Sequence, residues 1–225
     1  MTAARKKNPW ITTVAFTVLI ALVAFRYYGD RSDEKEITNR RPVEIAAEME
    51  AKANVTKQGG YDVIAGCRLV DHRNNDGDSF LVRLGTGEEV VVRLYFVDAP
   101  ESRRHQYNGK RIGHQARYFG ISDADSVELG VMAKKFVLHE LDQNTFTVYT
   151  QWQEVYDSGR YYAFVKLNLD GEQRWLHEVL IDRGLARIYT EGATMPDGES
   201  ASASKRALKE REKRARKEQL GGWVR

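Results

Sequence analysis

From Tyr61 onward, apolar and polar positions fall into a few recurring patterns. Tyr61 to Val70 mixes the two, with Gly66 marking a bend, and predicts a strand. Phe80, Val82 and Leu84 share one face of a second strand, Phe80–Leu84. Gly85-Thr86-Gly87 turns the chain into Glu89–Val97, whose near-continuous Val, Leu, Tyr and Phe content predicts a strand buried on both sides. Three strands joined by short Gly and Asp turns predict a meander. After Pro100 the period lengthens. Lys110–Phe119 predicts a helix broken by Gly120, and Ser122 to Asp125 supply N-cap chemistry for a longer helix running to about Leu141. In it Val127, Val131, Ala133, Phe136, Val137 and Leu141 recur mostly three or four residues apart. Strands resume at Thr145–Trp152 and Tyr161–Leu169, with Asp157-Ser158-Gly159 between them. Arg174–Arg183 predicts a helix capped by Gly184, and Ser202–Leu220 a strongly basic one. The pattern predicts a β-rich α+β domain over 61–225, a five-stranded OB-type barrel with about three packed helices.

Two further segments precede this domain. Arg5, Lys6 and Lys7 stand before an apolar run from Trp10 to Phe25, and charge followed by hydrophobe is the order of an export signal. Aromatic residues at both ends, Trp10 and Tyr27-Tyr28, suit an interfacial belt. No clear small-x-small cleavage site follows, so residues 1–28 predict an uncleaved signal anchor or transmembrane segment, with the domain exported to periplasm or medium. Cleavage and secretion is the second choice, and a soluble core helix the plain alternative. Residues 29–60 are polar and mixed in charge and read as a tether, with a short helix at Glu44–Lys52. Composition supports a globular protein, with 42% hydrophobic and 30% charged residues. A net charge of +3 argues only weakly for a nucleic-acid partner, so local charge matters more. The single Cys67 excludes an intramolecular disulfide and any multi-cysteine zinc site.

Chemistry concentrates in two acidic corners, Asp76-Gly77-Asp78-Ser79 and Asp98-Ala99-Pro100-Glu101. Taken alone, the first is a hairpin turn and the second a strand end with a proline turn. The first also fails as an EF-hand loop, because His72 and Arg83 would fall where carboxylates are needed. Two arginines change this reading. Arg93 interrupts the apolar strand leading to Asp98, where an unpaired charge would be costly. Arg160 follows Ser158-Gly159 at the start of the last strand. Carboxylates at 78, 98 and 101 with guanidiniums at 93 and 160 are the inventory of a hard-metal phosphodiesterase site. The five histidines show no metal spacing, since neither His139-Glu140 nor His177-Glu178 extends to HExxH.

The segments DGDSF, VRLYFVDAPE, SGRYYA and WLHEVLIDRGLARIY occur in the order found in the thermonuclease family typified by staphylococcal nuclease. The chain resembles that family from about Tyr61 to Trp223. The resemblance implies an OB-type barrel with three main helices and calcium-dependent cleavage of DNA and RNA; the protein is expected to be a monomer. It implies Asp78, Asp98 and the Ala99 carbonyl as Ca2+ ligands, and Glu101 as the base that positions water. Arg93 and Arg160 match the phosphate-binding arginines. Ser79 and Ala99 stand where threonine is usual. A longer segment, 102–129, adds Lys110, Arg111, His114 and Arg117 beside the site, either to reshape the groove or as a packing helix. Ser158 replaces a tyrosine, leaving Tyr156, Tyr161 and Tyr189 as candidates for base stacking and Tyr162 for barrel packing. The basic final helix is either a solvated, ion-paired face or an auxiliary footprint for nucleic acid. The rival reading is a non-catalytic OB-type module binding nucleic acid or a partner at the cell envelope.

Overall fold

A computed structural model of the chain describes residues 55–224. The expected anchor at 1–28, the helix at 44–52 and most of the tether lie outside the described residues. Among the described residues, no helix is long and apolar enough to cross a membrane.

The strands are β1 Val55–Gln58, β2 Tyr61–Leu69, β3 Ser79–Arg83, β4 Glu89–Leu94, β5 Val97–Asp98, β6 Phe146–Glu154, β7 Arg160–Leu169, β8 Glu172–Trp175 and β9 Arg187–Ile188. Among the described residues the α-helices are α1 Gly109–Phe119, α2 Asp123–Gln143, α3 Leu176–Asp182 and α4 Ala201–Lys217, followed by a 3-10 turn at Gly221–Trp223. Antiparallel neighbours run β1-β2-β3-β4, and β4 pairs in parallel with β7, which pairs with β6. Strand β2 also pairs with β6, so β2, β3, β4, β7 and β6 close into a ring. The meander and the α+β class match the sequence pattern, as does the OB-type connectivity.

Four departures have physical reasons. Residues 55–58, expected in the tether, form β1 along Tyr61–Ile64 because the two-residue turn Gly59-Gly60 folds them back. Among the described residues four helices are present rather than about three, because the helix expected at Lys110–Phe119 forms in addition to α2, α3 and α4. Arg174 and Trp175 belong to β8, paired with Leu167 and Lys166, and the helix begins only at Leu176. The strand expected to reach Val97 breaks at Phe96, whose φ is +68°. That kink redirects the chain into β5, which pairs with β9 so that Asp98 faces Arg187.

The ring encloses the core. Tyr61, Phe80, Leu94, Tyr95, Phe96 and Phe164 are fully buried, and the Tyr95 and Phe164 rings lie 4.8 Å apart. Burying a side chain of this size stabilises the fold by roughly 2 kcal/mol or more before entropy is counted. Helix α2 starts at the Ser122 cap, whose Oγ accepts from the Asp125 N–H at 3.1 Å. Its buried stripe is Ser126, Leu129, Gly130, Ala133, Val137 and Leu141. The valines expected on that stripe, Val127 and Val131, are only half-buried. Helix α4 buries Leu208 and Ala215, and Arg211 ties it to α3 through Asp182 at 2.6 Å and Glu178 at 2.8 Å.

Candidate active site

The two acidic corners meet. In the first, Asn75 is buried and holds the loop: its amide donates to the Val70 carbonyl, and its Oδ1 accepts from the Leu81 N–H, both at 2.8 Å. The Leu94 N–H donates to the Asp78 carbonyl at 2.9 Å, which fixes Asp78 beside β4. A side chain at Gly77 would approach the Cβ atoms of Ala99 and Ala133 within 3.0 Å, so glycine lets the corners close on each other and on α2. Gly130 does the same from the helix side, since a Cβ there would meet the Glu101 carbonyl oxygen at 2.4 Å.

Arg93 lies between the corners. It pairs opposite Ser79 in the β3–β4 register and is almost wholly buried. One guanidinium nitrogen donates to Asp78 Oδ1, and the other donates to Asp98 Oδ1 at 2.9 Å. Asp78 Oδ2 also accepts from the Ala99 N–H at 2.7 Å. Asp98 is the most heavily used carboxylate. Besides Arg93 it accepts from Arg111 at 2.5 Å, from Arg187 at 2.8 Å and from the Gln115 amide at 3.0 Å.

Their protonation diverges accordingly. Burial pushes the Asp78 carboxyl up to about 7, with Asp98 and Asp76 adding to the rise and Arg93 only partly opposing it. Burial acts on Asp98 as well, but Arg111, Arg93 and Arg187 outweigh it and hold that carboxyl below its ordinary range. Desolvation works against the Arg93 charge, and the two aspartates outweigh it.

Helix α1 supplies what the sequence left undecided for 102–129. Asn108, Arg111 and Gln115 are spaced three and four apart, so they share one helix face, and all three meet the second corner. Arg111 Nε pairs with Glu101 Oε1 at 2.9 Å, while Asn108 donates to Glu101 Oε2 at 3.1 Å. Gln115, fully buried, donates to the Ala99 carbonyl and accepts from the Glu101 N–H, each at 3.1 Å. The helix therefore orients Glu101 through both carboxylate oxygens and its main chain.

A cleft of about 420 Å³ opens over the first corner and is lined by Asp76, Asp78, Ser79, Ala99, Glu101 and Arg160 among others. A second, of about 750 Å³, lies beyond it, and Arg93, Arg111 and Arg160 line both. Arg160 begins β7, held by the Ser158 hydroxyl at 3.0 Å, and the parallel register sets it opposite Val91. So Asp78, Asp98, Ala99, Glu101, Arg93 and Arg160 are all brought to one centre. Of the aromatic candidates, Tyr156 and Tyr189 line the second cleft and are well exposed. Tyr161 does not line it. Strand alternation puts Tyr161 on the opposite face from Arg160, against Trp152 at 5.5 Å, and Tyr162 lines the cleft instead while stacking on Tyr95 at 5.0 Å. Asp76 is also half-buried in the first cleft, beyond its role as a turn residue.

Residues that the sequence reading did not single out include Arg187, Asn108 and Gln115. Arg187 carried a signal, an arginine inside the apolar run LARIY, of the same kind as Arg93 in its strand.

The closed strand ring and its corner of carboxylates threaded by arginines define an OB-type module of the nuclease or nucleic-acid-binding class. A family model described as staphylococcal nuclease homologue matches residues 91–225, more than half of the chain, and the chain belongs to that family. The matched span contains Arg93, Asp98, Glu101 and Arg160, while the Asp76–Asp78 corner precedes it. No curated protein matches the chain.

Proposed function

We propose that this protein is a calcium-dependent nuclease that hydrolyses phosphodiester bonds of DNA and RNA with slight sequence preference. The observation that carries this reading is the arrangement of Asp78 and Glu101 in the first cleft and Asp98 in the second, joined by Arg93, which bonds both aspartates, and by Arg160, which lines both clefts. The donor set fits a hard divalent cation: two carboxylates, the Ala99 carbonyl, and the buried Ser79 hydroxyl, which lines the cleft with no hydrogen-bond partner among the described residues. Among the described residues no three acidic, His or Cys side chains form a complete metal cage, so water and substrate oxygens would complete the shell. Bound there, Ca2+ would neutralise charge on a non-bridging phosphate oxygen.

The chain's own groups supply the rest. Arg93 uses two of its five N–H donors on aspartates and keeps others for phosphate. Arg160, whose side chain is tethered among the described residues only to Ser158, provides a second planar fork lining both clefts. Glu101, aimed by Asn108 and Arg111, accepts a proton from the attacking water. Tyr156 and Tyr189 offer faces on which bases stack without being read.

The test is digestion of plasmid and single-stranded DNA by the full chain with calcium or with chelator. Cleavage with calcium alone is expected, and Glu101→Gln should lower turnover by about 100-fold or more while substrate binding changes little. Equal inactivity in both conditions removes the enzyme reading. One observation favours the rival, a binding-only module: every oxygen of Asp78 and Asp98 already accepts from a protein donor. In that case DNA is bound but never cut.

We further propose that the protein works as a monomer whose domain is exported and held at a membrane by residues 1–28. The support is the order of Arg5, Lys6 and Lys7 before the apolar run Trp10–Phe25. Added protease should digest the domain in intact cells, and the mature mass should include residues 1–28. A shorter mass means secretion after cleavage, and protection from protease overturns export.

A further inference from the structure

Beyond the three shared arginines, the second cleft changes character. Its far walls carry Lys110 and His114, one turn apart on α1, and Lys205 from the start of α4. None of the three has an ion pair or hydrogen bond among the described residues, unlike Arg93, Arg111 and Arg187, which are engaged by carboxylates. The lining carboxylates are Asp98, already held by four donors, and Glu191. Both lysines are exposed and line one concave space, so an anion entering the lobe is attracted by two ammonium groups at once. The lobe is continuous, through Arg93, Arg111 and Arg160, with the cleft over the acidic corner.

We propose that this lobe is a phosphate subsite for the nucleotide next to the one being cleaved, with Lys110 and Lys205 contacting its phosphate and His114 flanking it. The proposal rests on the nuclease reading for its register and goes beyond it by assigning residues of α1 and α4, outside the acid–arginine centre. A substrate with a single phosphodiester fills only the shared arginines, whereas a strand fills both lobes. The protein therefore selects polynucleotides over isolated diesters.

The experiment compares a single-stranded thymidine decamer with a nitrophenyl ester of thymidine phosphate, which has one phosphodiester, using wild type and the K110A/K205A variant. The variant should lose about tenfold in kcat/KM on the decamer, mainly through KM, and change less than about twofold on the small diester. Lys217→Ala, which removes the same charge from the far end of α4, should change neither. Equal losses on both substrates, no loss on the decamer, or the same loss in Lys217→Ala overturns the subsite. If wild type cleaves neither substrate, the nuclease reading fails by itself, and decamer binding in chelator by fluorescence anisotropy decides the subsite. A tenfold weaker affinity with a salt slope shallower by about 0.7 supports it. Unchanged affinity overturns it.

Discussion

His177 is a charge-capable residue kept out of the chemistry. It is buried among Phe96, Phe164 and Trp175, and its Nδ1 has no partner among the described residues. Burial, with Arg211 nearby, pushes its pKa down to about 3. The folded ring stays neutral where the unfolded one takes up a proton, so stability is full above about pH 6.5 and falls as pH drops towards 3. The slope approaches about 1.4 kcal/mol per pH unit within that window. His177→Phe should flatten this part of the profile in urea melts between pH 4 and 6.5. An unchanged slope would mean that other groups carry it. At this scale the sequence was most legible where a residue's role depends on its own neighbours in the chain. Asp78, Asp98, Glu101 and Arg93 all sit in short motifs that set their geometry locally. Gln115 and Arg187 act on Asp98 only because separate elements dock there, and no local pattern encodes that docking. The misplacement of Tyr161 is a period-two error: a one-residue shift on a strand exchanges the cleft face for the opposite one.

Among the elements, α1 and the β4–β5 kink decide whether the corners become a site. Helix α1 spends one face on Asp98, Ala99 and Glu101, which makes the longer 102–129 segment part of the centre rather than a covering. Phe96, at positive φ, donates its N–H to the Glu191 carbonyl at 2.8 Å and accepts from the Tyr189 N–H at 2.9 Å. The strain of a non-glycine residue there is thus compensated by the segment that also lines the second cleft. Apolar periodicity located both strands and helices, yet it could not locate this break, because Tyr95, Phe96 and Val97 read as one continuous buried strand. The first strand was hidden for the opposite reason. Thr56, Lys57 and Gln58 are polar because β1 lies at the sheet edge, where few side chains are covered. In helix α4, Arg211 is ion-paired to α3, as the ion-paired reading expects, while Lys205 lines the second cleft.

For the molecule as a whole, a net charge of +3 conceals a local arrangement. Asp76, Asp78 and Glu101 line the first cleft, Lys110 and Lys205, unpaired among the described residues, line the second, and three arginines line both. Overall composition carried almost none of this, since it arises from how distant segments are folded together. Family motifs carried the fold class, because they specify the closed ring as a unit. The parallel pairing of β4 with β7 has one more consequence. Val91 aligns with Arg160 and Arg93 with Tyr162, although α1, α2 and β6 all lie between these strands in sequence. Such a pairing must overcome the closure entropy of a long loop before it gains any contact, so it forms late in folding. Arg93 and Arg160 therefore meet only when the chain is nearly complete. In a refolding experiment, DNA binding should return with the slowest phase that restores the native fluorescence signal, and earlier recovery would show that the ring is not what assembles the site. A nascent or half-folded chain passing through the cell would hold Arg93 and Arg160 apart, and for the nuclease proposed above the fold itself would delay the onset of activity.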